Sequence, residues 1–186
     1  MTKLVQIIIS SVRTSRVGDQ VAAYVKNVMQ ASSPYRFEIV DLKDYQLPLL
    51  SDEPNIPAYK NYTQKHTIAW SEKISQADSY VFVTPEYNGS IPASLKNAID
   101  YLYQEWAGKP TVVVSYANKG GSFAAEHLKF ITSRMGMKPV NTTPAILTTP
   151  DRRDEQNRIL NPEVAFESHR ESIEKATQEL VNSFSQ

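Results

Sequence analysis

The first residues able to do chemistry lie in a short hydroxyl-rich segment, residues 10–16. An apolar run typical of a strand precedes the segment, and helical spacing follows it. The backbone amides of the segment would therefore lie at the start of a helix. Donors, positive charge and a helix amino terminus together favour an anion, most simply a phosphate. The alternative is an N-capped helix with two solvated arginines. The segment matches neither the Gly-x-Gly-x-x-Gly fingerprint nor a Walker loop. Its hydroxyls and cations are Ser10, Ser11, Thr14, Ser15, Arg13 and Arg16.

A second candidate surface follows the strand pattern that begins at Val81, where a tight loop leads into a helix. Asn88 and Gly89 tolerate positive φ, which allows the backbone to turn sharply. Ligands of open parallel sheets bind where strands end and helices begin. We therefore expect this loop to form a wall against a flat ring, with Tyr87 packed near it. The alternative is a strand–helix turn with a surface tyrosine, and Glu86 is more simply a solvated or salt-bridged carboxylate than a general base.

A third loop, residues 115–122, carries two consecutive glycines. Gly120 and Gly121 allow a ligand to approach the backbone closely. A metal site is not expected, because the chain has no cysteine and its three histidines lack His-x-His or His-Glu-x-x-His spacing. His127 is interpreted as a partly packed helix residue.

The elements that position these loops alternate between strand and helix. A continuous apolar run such as Leu4–Ile9 is typical of a strand covered on both faces. Five alternations predict one doubly wound α/β domain over residues 1–186, with the three loops side by side at one edge of the sheet. The predicted strands are 4–9, 37–41, 81–84, 111–115 and 145–147, and the predicted helices are 17–30, 62–76, 95–103, 123–136 and 162 onward.

The remaining segments are predicted to be loops or packing surfaces. Residues 44–59 read as a loop and residues 150–161 as a polar, exposed stretch. Helical spacing assigns Ile68 and Val164 to buried faces. The irregular apolar Leu47–Leu50 segment and the aromatic-rich 101–106 segment favour contact with a second copy of the chain, because aromatic residues are enriched in interface cores.

Composition excludes several classes of protein. The 186 residues are 41% hydrophobic and 22% charged, as in an ordinary globular domain. A formal net charge of +0 gives no sign of a nucleic-acid partner. The absence of cysteine excludes disulfides, thiolate nucleophiles and Fe–S clusters, and it fits a cytoplasmic protein. No apolar run approaches membrane-spanning length, and the amino terminus lacks a signal-peptide pattern.

Most of the chain, to about the final helix, resembles the NADPH-dependent FMN reductases, a flavodoxin-like group that includes quinone, azo-dye and chromate reductases. Segments 10–16 and 84–100 carry the resemblance. It implies a five-stranded parallel sheet of order 2-1-3-4-5 with helices on both faces, and a homodimer with the cofactor site at the subunit boundary. One departure is Ser10, which stands where the family usually has glycine. The FMN-binding residues implied are Ser10, Ser11, Arg13, Ser15 and Arg16 for the phosphate, Pro85, Glu86, Tyr87, Asn88 and Gly89 along the isoalloxazine, and Ser115, Gly120, Gly121 and Ser122 over its other side.

The reaction implied by the resemblance needs little from side chains. Hydride passes from NADPH or NADH to the flavin, and after the nicotinamide leaves a second substrate is reduced. Quinones, azo compounds, flavins and metal ions are the acceptors implied. The alternative is a non-enzymatic flavodoxin-type electron carrier or a flavin-dependent partner-binding protein. Such carriers tend to be acidic, and this chain is neutral.

Overall fold

Buried strands form the centre of the molecule, as shown by a computed structural model that describes residues 2–51 and 56–184. Strand β1 spans Leu4–Ile9, β2 Arg36–Asp41, β3 Ser79–Pro85, β4 Pro110–Ala117, β5 Lys138–Pro139 and β6 Ala145–Leu147. All are parallel, in the order β2-β1-β3-β4-β5, and β6 also pairs with β4. The predicted order and fold class are confirmed. The two-residue β5 is additional to the five strands predicted, because its pattern is too short to detect in sequence.

Helices cover both faces of the sheet. They are α1 (Gly18–Ala31), α2 (Leu42–Tyr45), α3 (Lys65–Ser75), α4 (Ala93–Asp100), α5 (Ser122–Arg134), α6 (Pro162–Ala165) and α7 (Arg170–Ser183). Alternate residues of each central strand enter one of two cores. Ile7, Val81 and Val112 pack with α1 and α7, whereas Ile8 and Phe82 pack with α3, α4 and α5. No helix in the described parts of the chain is long and apolar enough to cross a membrane.

Helix α4 is shorter than predicted: it ends at Asp100 rather than near Tyr103. The Trp106 indole nitrogen donates to the Ile99 carbonyl oxygen at 3.2 Å. This side-chain bond satisfies a carbonyl of the last turn, so the helix need not continue. Trp106 and Tyr101 are both buried within the chain.

The C-terminal helix is interrupted where the sequence pattern predicted a continuous one. A 3-10 turn at Glu167–His169 separates α6 from α7. Phe166 takes the buried position in this region, with its ring 5.5 Å from that of Tyr24. Val164, predicted to be buried, is 70% exposed because the break shifts the helical register.

Three smaller expectations differ from the structure. Ile68 lies at the edge of the apolar face of α3 and is 39% exposed, whereas Trp70 and Ile74 are buried. His127 is exposed rather than partly packed. The predicted 44–59 loop contains the end of α2 and a 3-10 turn at Pro57–Tyr59, and its residues 52–55 lie outside the described residues.

Candidate functional site

The three loops singled out in the sequence lie side by side, as predicted. Strands β1, β3 and β4 are neighbours in the sheet, so their carboxyl ends meet at one edge. The Ser10 amide donates to the Val83 carbonyl at 3.1 Å, and the Glu86 amide donates to the Tyr116 carbonyl at 3.3 Å. Hydrogen bonds of the β-sheet type therefore continue past the ends of β1 and β3, and they fix the start of the first and second loops.

A cavity of about 500 Å³ opens between these loops, within the range of small-molecule sites. The residues after β6 form its fourth side, which the sequence analysis did not anticipate. The walls comprise Arg13, Ser15, Arg16 and Val17; Pro85, Glu86 and Tyr87; Tyr116, Ala117, Asn118 and Lys119; and Thr148, Pro150, Arg153 and Asn157.

The first loop is held by buried hydroxyl groups. Ser11 is fully buried, and its hydroxyl shares a 2.7 Å hydrogen bond with the Tyr87 hydroxyl. Ser10 is also fully buried, and its hydroxyl has no hydrogen-bond partner among the described residues. The Ser10 carbonyl accepts a 2.6 Å bond from Ser94. These two serines lie beneath the loop and do not line the cavity.

Arg16 is engaged by protein groups rather than left free. Its guanidinium forms a two-point ion pair with Asp41 at the end of β2 and also donates to the Ser11 carbonyl at 2.7 Å. The hydrogen bond with Asp41 raises the pKa of Arg16 above its ordinary value, so its charge is permanent. Arg16 lines the cavity, and its bonds also fix the backbone of the first loop.

Arg13, in contrast, is exposed, with its guanidinium carbon 5.8 Å from the centre of the Tyr87 ring. This distance is within the range of a cation–π contact. Both arginines expected at an anion therefore border the cavity, one with its charge balanced by Asp41 and one without a carboxylate partner among the described residues.

The second loop turns as the sequence predicts. Asn88 and Gly89 have φ values of 52° and 78°, and Tyr87 and Ser90 exchange backbone bonds of 2.8 and 3.1 Å. Such a two-residue turn needs positive φ at both central positions. Asn88 and Gly89 form the tip of the turn and do not line the cavity, whereas Tyr87 does.

Glu86 acts as a helix cap in this structure. Its carboxylate accepts a 3.2 Å bond from the Ala124 amide in the first turn of α5, and it also borders the cavity. A carboxylate is favourable at a helix amino terminus, where backbone amides lack partners. The capping contact fixes the second loop against α5.

The glycine-containing third loop contributes backbone shape. Gly120 and Gly121 have φ values of 85° and 82°, and the buried Ser115 hydroxyl donates to the Gly120 carbonyl at 2.8 Å. A Cβ on Gly121 would lie 3.2 Å from the Ser115 Cβ. The four residues expected here, which include the exposed Ser122, do not line the cavity, and the preceding residues 116–119 do.

The chain after β6 contains the side chains that sequence reasoning missed. Arg153, Asn157 and Arg158 are half-buried and Ile159 is buried, although the whole 150–161 stretch was expected to be exposed. Arg158 forms a bidentate pair with Asp19 in α1, at 2.9 and 2.7 Å. Burial alone would raise the pKa of Asp19, but the Arg158 guanidinium, a backbone hydrogen bond and the charge of Arg16 together lower it. The adjacent Ile159 and Leu160 were the only sequence signal of an anchor in this polar stretch, and of the two Ile159 is buried and Leu160 is exposed.

Tyr116 lies at the base of the cavity, and its position depends on Gly18. A Cβ at residue 18 would lie 2.5 Å from the Tyr116 hydroxyl oxygen and 3.2 Å from its Cζ. Burial raises the pKa of Tyr116 above its ordinary value, so the hydroxyl stays protonated near neutral pH. Glycine at the start of α1 therefore allows the tyrosine to pass under the helix.

Metal-ligating clusters are not found in the described part of the chain. Across residues 2–51 and 56–184, no group of three or more His, Asp or Glu side chains is placed to hold a metal ion. The donors that converge on the cavity are cations, hydroxyls and amides, which suit anions and ring heteroatoms.

Comparisons with known proteins agree with this arrangement. The family model described as NADPH-dependent FMN reductase matches residues 3–150. An NAD(P)H-dependent FMN reductase of Schizosaccharomyces pombe is 41% identical over 186 residues, covering 99% of this chain and 92% of that protein. A quinone reductase of Pseudomonas putida is 34% identical, covering 66% of this chain and 65% of that protein. The flavoenzyme NAD(P)H:(acceptor) oxidoreductase FerB of Paracoccus denitrificans shares the fold, with a TM-score of 0.74, 19% identity, and coverage of 98% of this chain and 99% of that chain.

Substituting Gly18 tests the packing beneath the cavity. We expect Gly18→Ala to lower the free energy of unfolding by about 1–3 kcal/mol, because the new methyl group overpacks against Tyr116. Removing the hydroxyl by Tyr116→Phe should relieve most of that loss in the double variant. Urea denaturation of the four proteins gives the coupling energy. An equal effect of Gly18→Ala in both backgrounds would contradict the contact.

Proposed function

Because this chain belongs to the NADPH-dependent FMN reductase family, we propose that it is an NAD(P)H-dependent oxidoreductase with FMN as its cofactor. The observation that supports this most strongly is one cavity that joins an anion-type loop to a flat wall. Arg13 and Ser15 lie on the first side, and Pro85 and Tyr87 form the second. A mononucleotide needs these two environments at adjacent positions.

The first loop fits a phosphate. Helix α1 has 14 residues, and its first turn has no side-chain cap from the N-cap residue Val17. Amides at an uncapped helix amino terminus favour an anion, and the helix dipole adds to this preference. Arg13 and the Ser15 hydroxyl are the cavity-lining groups of this loop that would hold the phosphate. The buried Ser10 and Ser11 would support the loop from below.

The second and third loops fit a ring. Pro85–Gly89 would line the isoalloxazine, with Tyr87 held in place by its bond to Ser11. Ser115, Gly120, Gly121 and Ser122 would shape the turn that carries Asn118 and Lys119 to the cavity. Bound FMN supplies hydride acceptance from a nicotinamide and electron transfer to a second substrate. The protein binds and orients the reactants and limits access of water.

A carrier without enzymatic activity is the alternative. Flavodoxin-type carriers tend to be acidic, and the formal net charge of this chain is +0. Relatives named for FMN and quinone reduction favour the enzyme. We propose quinones first as acceptors, followed by azo compounds, flavins and metal ions, because stacking on a flat wall selects shape more than identity.

A homodimer with the cavity at its boundary is also proposed. Leu49 is 78% exposed and lies beside the half-exposed Leu50, so the apolar segment predicted as an interface is available for contact. The aromatic segment predicted with it is not fully available. Its Tyr101 and Trp106 pack inside the chain, where the Tyr101 hydroxyl donates to the Pro48 carbonyl at 3.0 Å. The 47–50 segment is therefore held on the folded chain and presents its leucines outward.

Steady-state kinetics test the proposed activity and its mechanism. We propose that bound FMN would present one uncovered face to both substrates, so each should leave before the other binds. We expect oxidation of NADPH or NADH with a quinone to give parallel double-reciprocal lines when donor and acceptor are varied. Intersecting lines would show a ternary complex and a second substrate surface. An absence of turnover from flavin-loaded protein would favour the carrier.

Replacing Arg13 tests the phosphate subsite. A charge-assisted hydrogen bond contributes about 1.5–3 kcal/mol, so Arg13→Ala should weaken FMN binding by roughly tenfold or more. Titration of apoprotein with FMN gives the dissociation constant. Arg36→Ala is the matched control, because Arg36 is an exposed arginine at the start of β2, at the opposite end of the sheet. An unchanged constant for Arg13→Ala would make Arg13 a solvated surface residue.

Light scattering tests the dimer. At micromolar protein we expect a mass twice the 21.0 kDa of one chain. Leu49→Asp should shift the mass toward that of one chain, because it places a charge in the proposed contact. A monomeric mass for the unaltered protein would overturn this part of the proposal.

A further inference from the structure

The segment after β6 is built onto the first loop by several polar contacts, although it lies beyond residues 3–150 that match the family model. The Asn157 amide donates to the Ser15 carbonyl at 3.0 Å, and Arg158 donates to the Arg16 carbonyl at 2.7 Å. Gln20 and the backbone of Ile159 exchange two further bonds of 3.0 Å. Together with the Asp19–Arg158 pair, these contacts fix the segment beside the amino end of α1.

Arg153 is the cation that this segment brings to the cavity. Its guanidinium donates to the Asn157 side-chain oxygen at 2.9 Å and to the Thr148 carbonyl at 2.5 Å. Both acceptors are neutral, and Arg153 forms no ion pair with any carboxylate of the described residues. Its Nε is buried without a hydrogen-bond partner in the same part of the chain. A half-buried, fixed and uncompensated guanidinium favours an anion nearby.

Arg153 and Arg16 differ in whether a carboxylate balances the charge of the guanidinium. Arg16 has its charge matched by Asp41, and its side chain is 12% exposed. Arg153 donates to Asn157, and Asn157 in turn donates to the Ser15 carbonyl of the first loop. Arg153 therefore lies close to the predicted phosphate position. Of these two arginines, Arg153 is the one whose charge no carboxylate of residues 2–51 and 56–184 offsets.

We propose that Arg153 is a phosphate-binding residue of the FMN site and supplies, with Arg13, the positive charge expected from Arg16. The inference rests on the proposed function, because it requires FMN as the cofactor. Asn157 acts as a positioning residue, since it holds the Arg153 guanidinium against the first loop. Arg16 then stabilises the loop backbone through Asp41 and Ser11.

Paired titrations with FMN and riboflavin test this role directly, because the two ligands share the ring and ribityl chain and differ in the phosphate. Apoprotein is titrated with each ligand, and quenching of flavin fluorescence gives the dissociation constants. Arg153→Met removes the charge and keeps an unbranched side chain. The matched control is Arg152→Met, which removes the neighbouring exposed arginine whose guanidinium donates to the Ala165 carbonyl, away from the cavity.

We expect Arg153→Met to weaken FMN binding by about tenfold or more and to leave riboflavin binding nearly unchanged. Arg152→Met should change neither constant. Arg153→Lys keeps the charge but loses the planar fork, so its FMN affinity should lie between those of the unaltered protein and Arg153→Met. If Arg153→Met does not fold, as judged by circular dichroism, the Lys variant still gives the FMN-to-riboflavin comparison.

Two results would overturn the inference while leaving the proposed function intact. Equal weakening of FMN and riboflavin would mean that Arg153 only supports the cavity wall. Unchanged binding of both by Arg153→Met, or by Arg153→Lys if only that variant folds, would place Arg153 away from the phosphate. Equal affinity of the unaltered protein for FMN and riboflavin would show that no phosphate subsite exists, and it would overturn both the inference and the proposed FMN cofactor. Failure of the unaltered protein to bind any flavin would overturn both the inference and the function.

Discussion

Burial of the central strands on both faces is the constraint on which the rest of the structure depends. Every residue of β1 and β3 is buried, so these strands have no exposed face that could carry polar chemistry. Parallel pairing places their carboxyl ends together with that of β4. Binding groups can therefore collect only in the loops at that edge, as is general for open α/β sheets.

Polar contacts then decide the shape of the edge. Arg16 ties the first loop to the end of β2 through Asp41, Ser11 ties it to Tyr87 of the second loop, and Glu86 ties the second loop to α5. Two of these contacts join a loop to a strand or a helix, and the Ser11–Tyr87 contact joins the first two loops to each other. Loops that are fixed by such cross-links form a cavity with little need to reorganise, which lowers the entropy cost of binding.

The sequence predicts the parts of this arrangement that have strong local signals. Apolar runs predict the buried strands, and the Asn88-Gly89 pair predicts the tight turn because few residues adopt positive φ. Arg153 could not be predicted in the same way. Its segment is polar and arginine-rich, which is typical of a solvated surface, and its position depends on contacts with Asp19 and Gln20 more than 130 positions earlier. Long-range pairing of this kind leaves no periodic pattern in sequence. The burial of Tyr101 and Trp106 inside the chain could not be predicted from the sequence either, because aromatic residues are suited equally to an interface and to a core.

The central claim is that one cavity holds a single phosphate next to a flat ring, and the cofactor itself tests it most directly. Heat or acid should release the cofactor from protein loaded with flavin during expression, and mass spectrometry should identify what is released. FMN in near-equal molar amount to the chain is the expected result. The cavity has one anion-type loop, and the sequence of that loop lacks the dinucleotide fingerprint. Recovery of FAD, or of no flavin from correctly folded protein that had been offered both flavins, would contradict it.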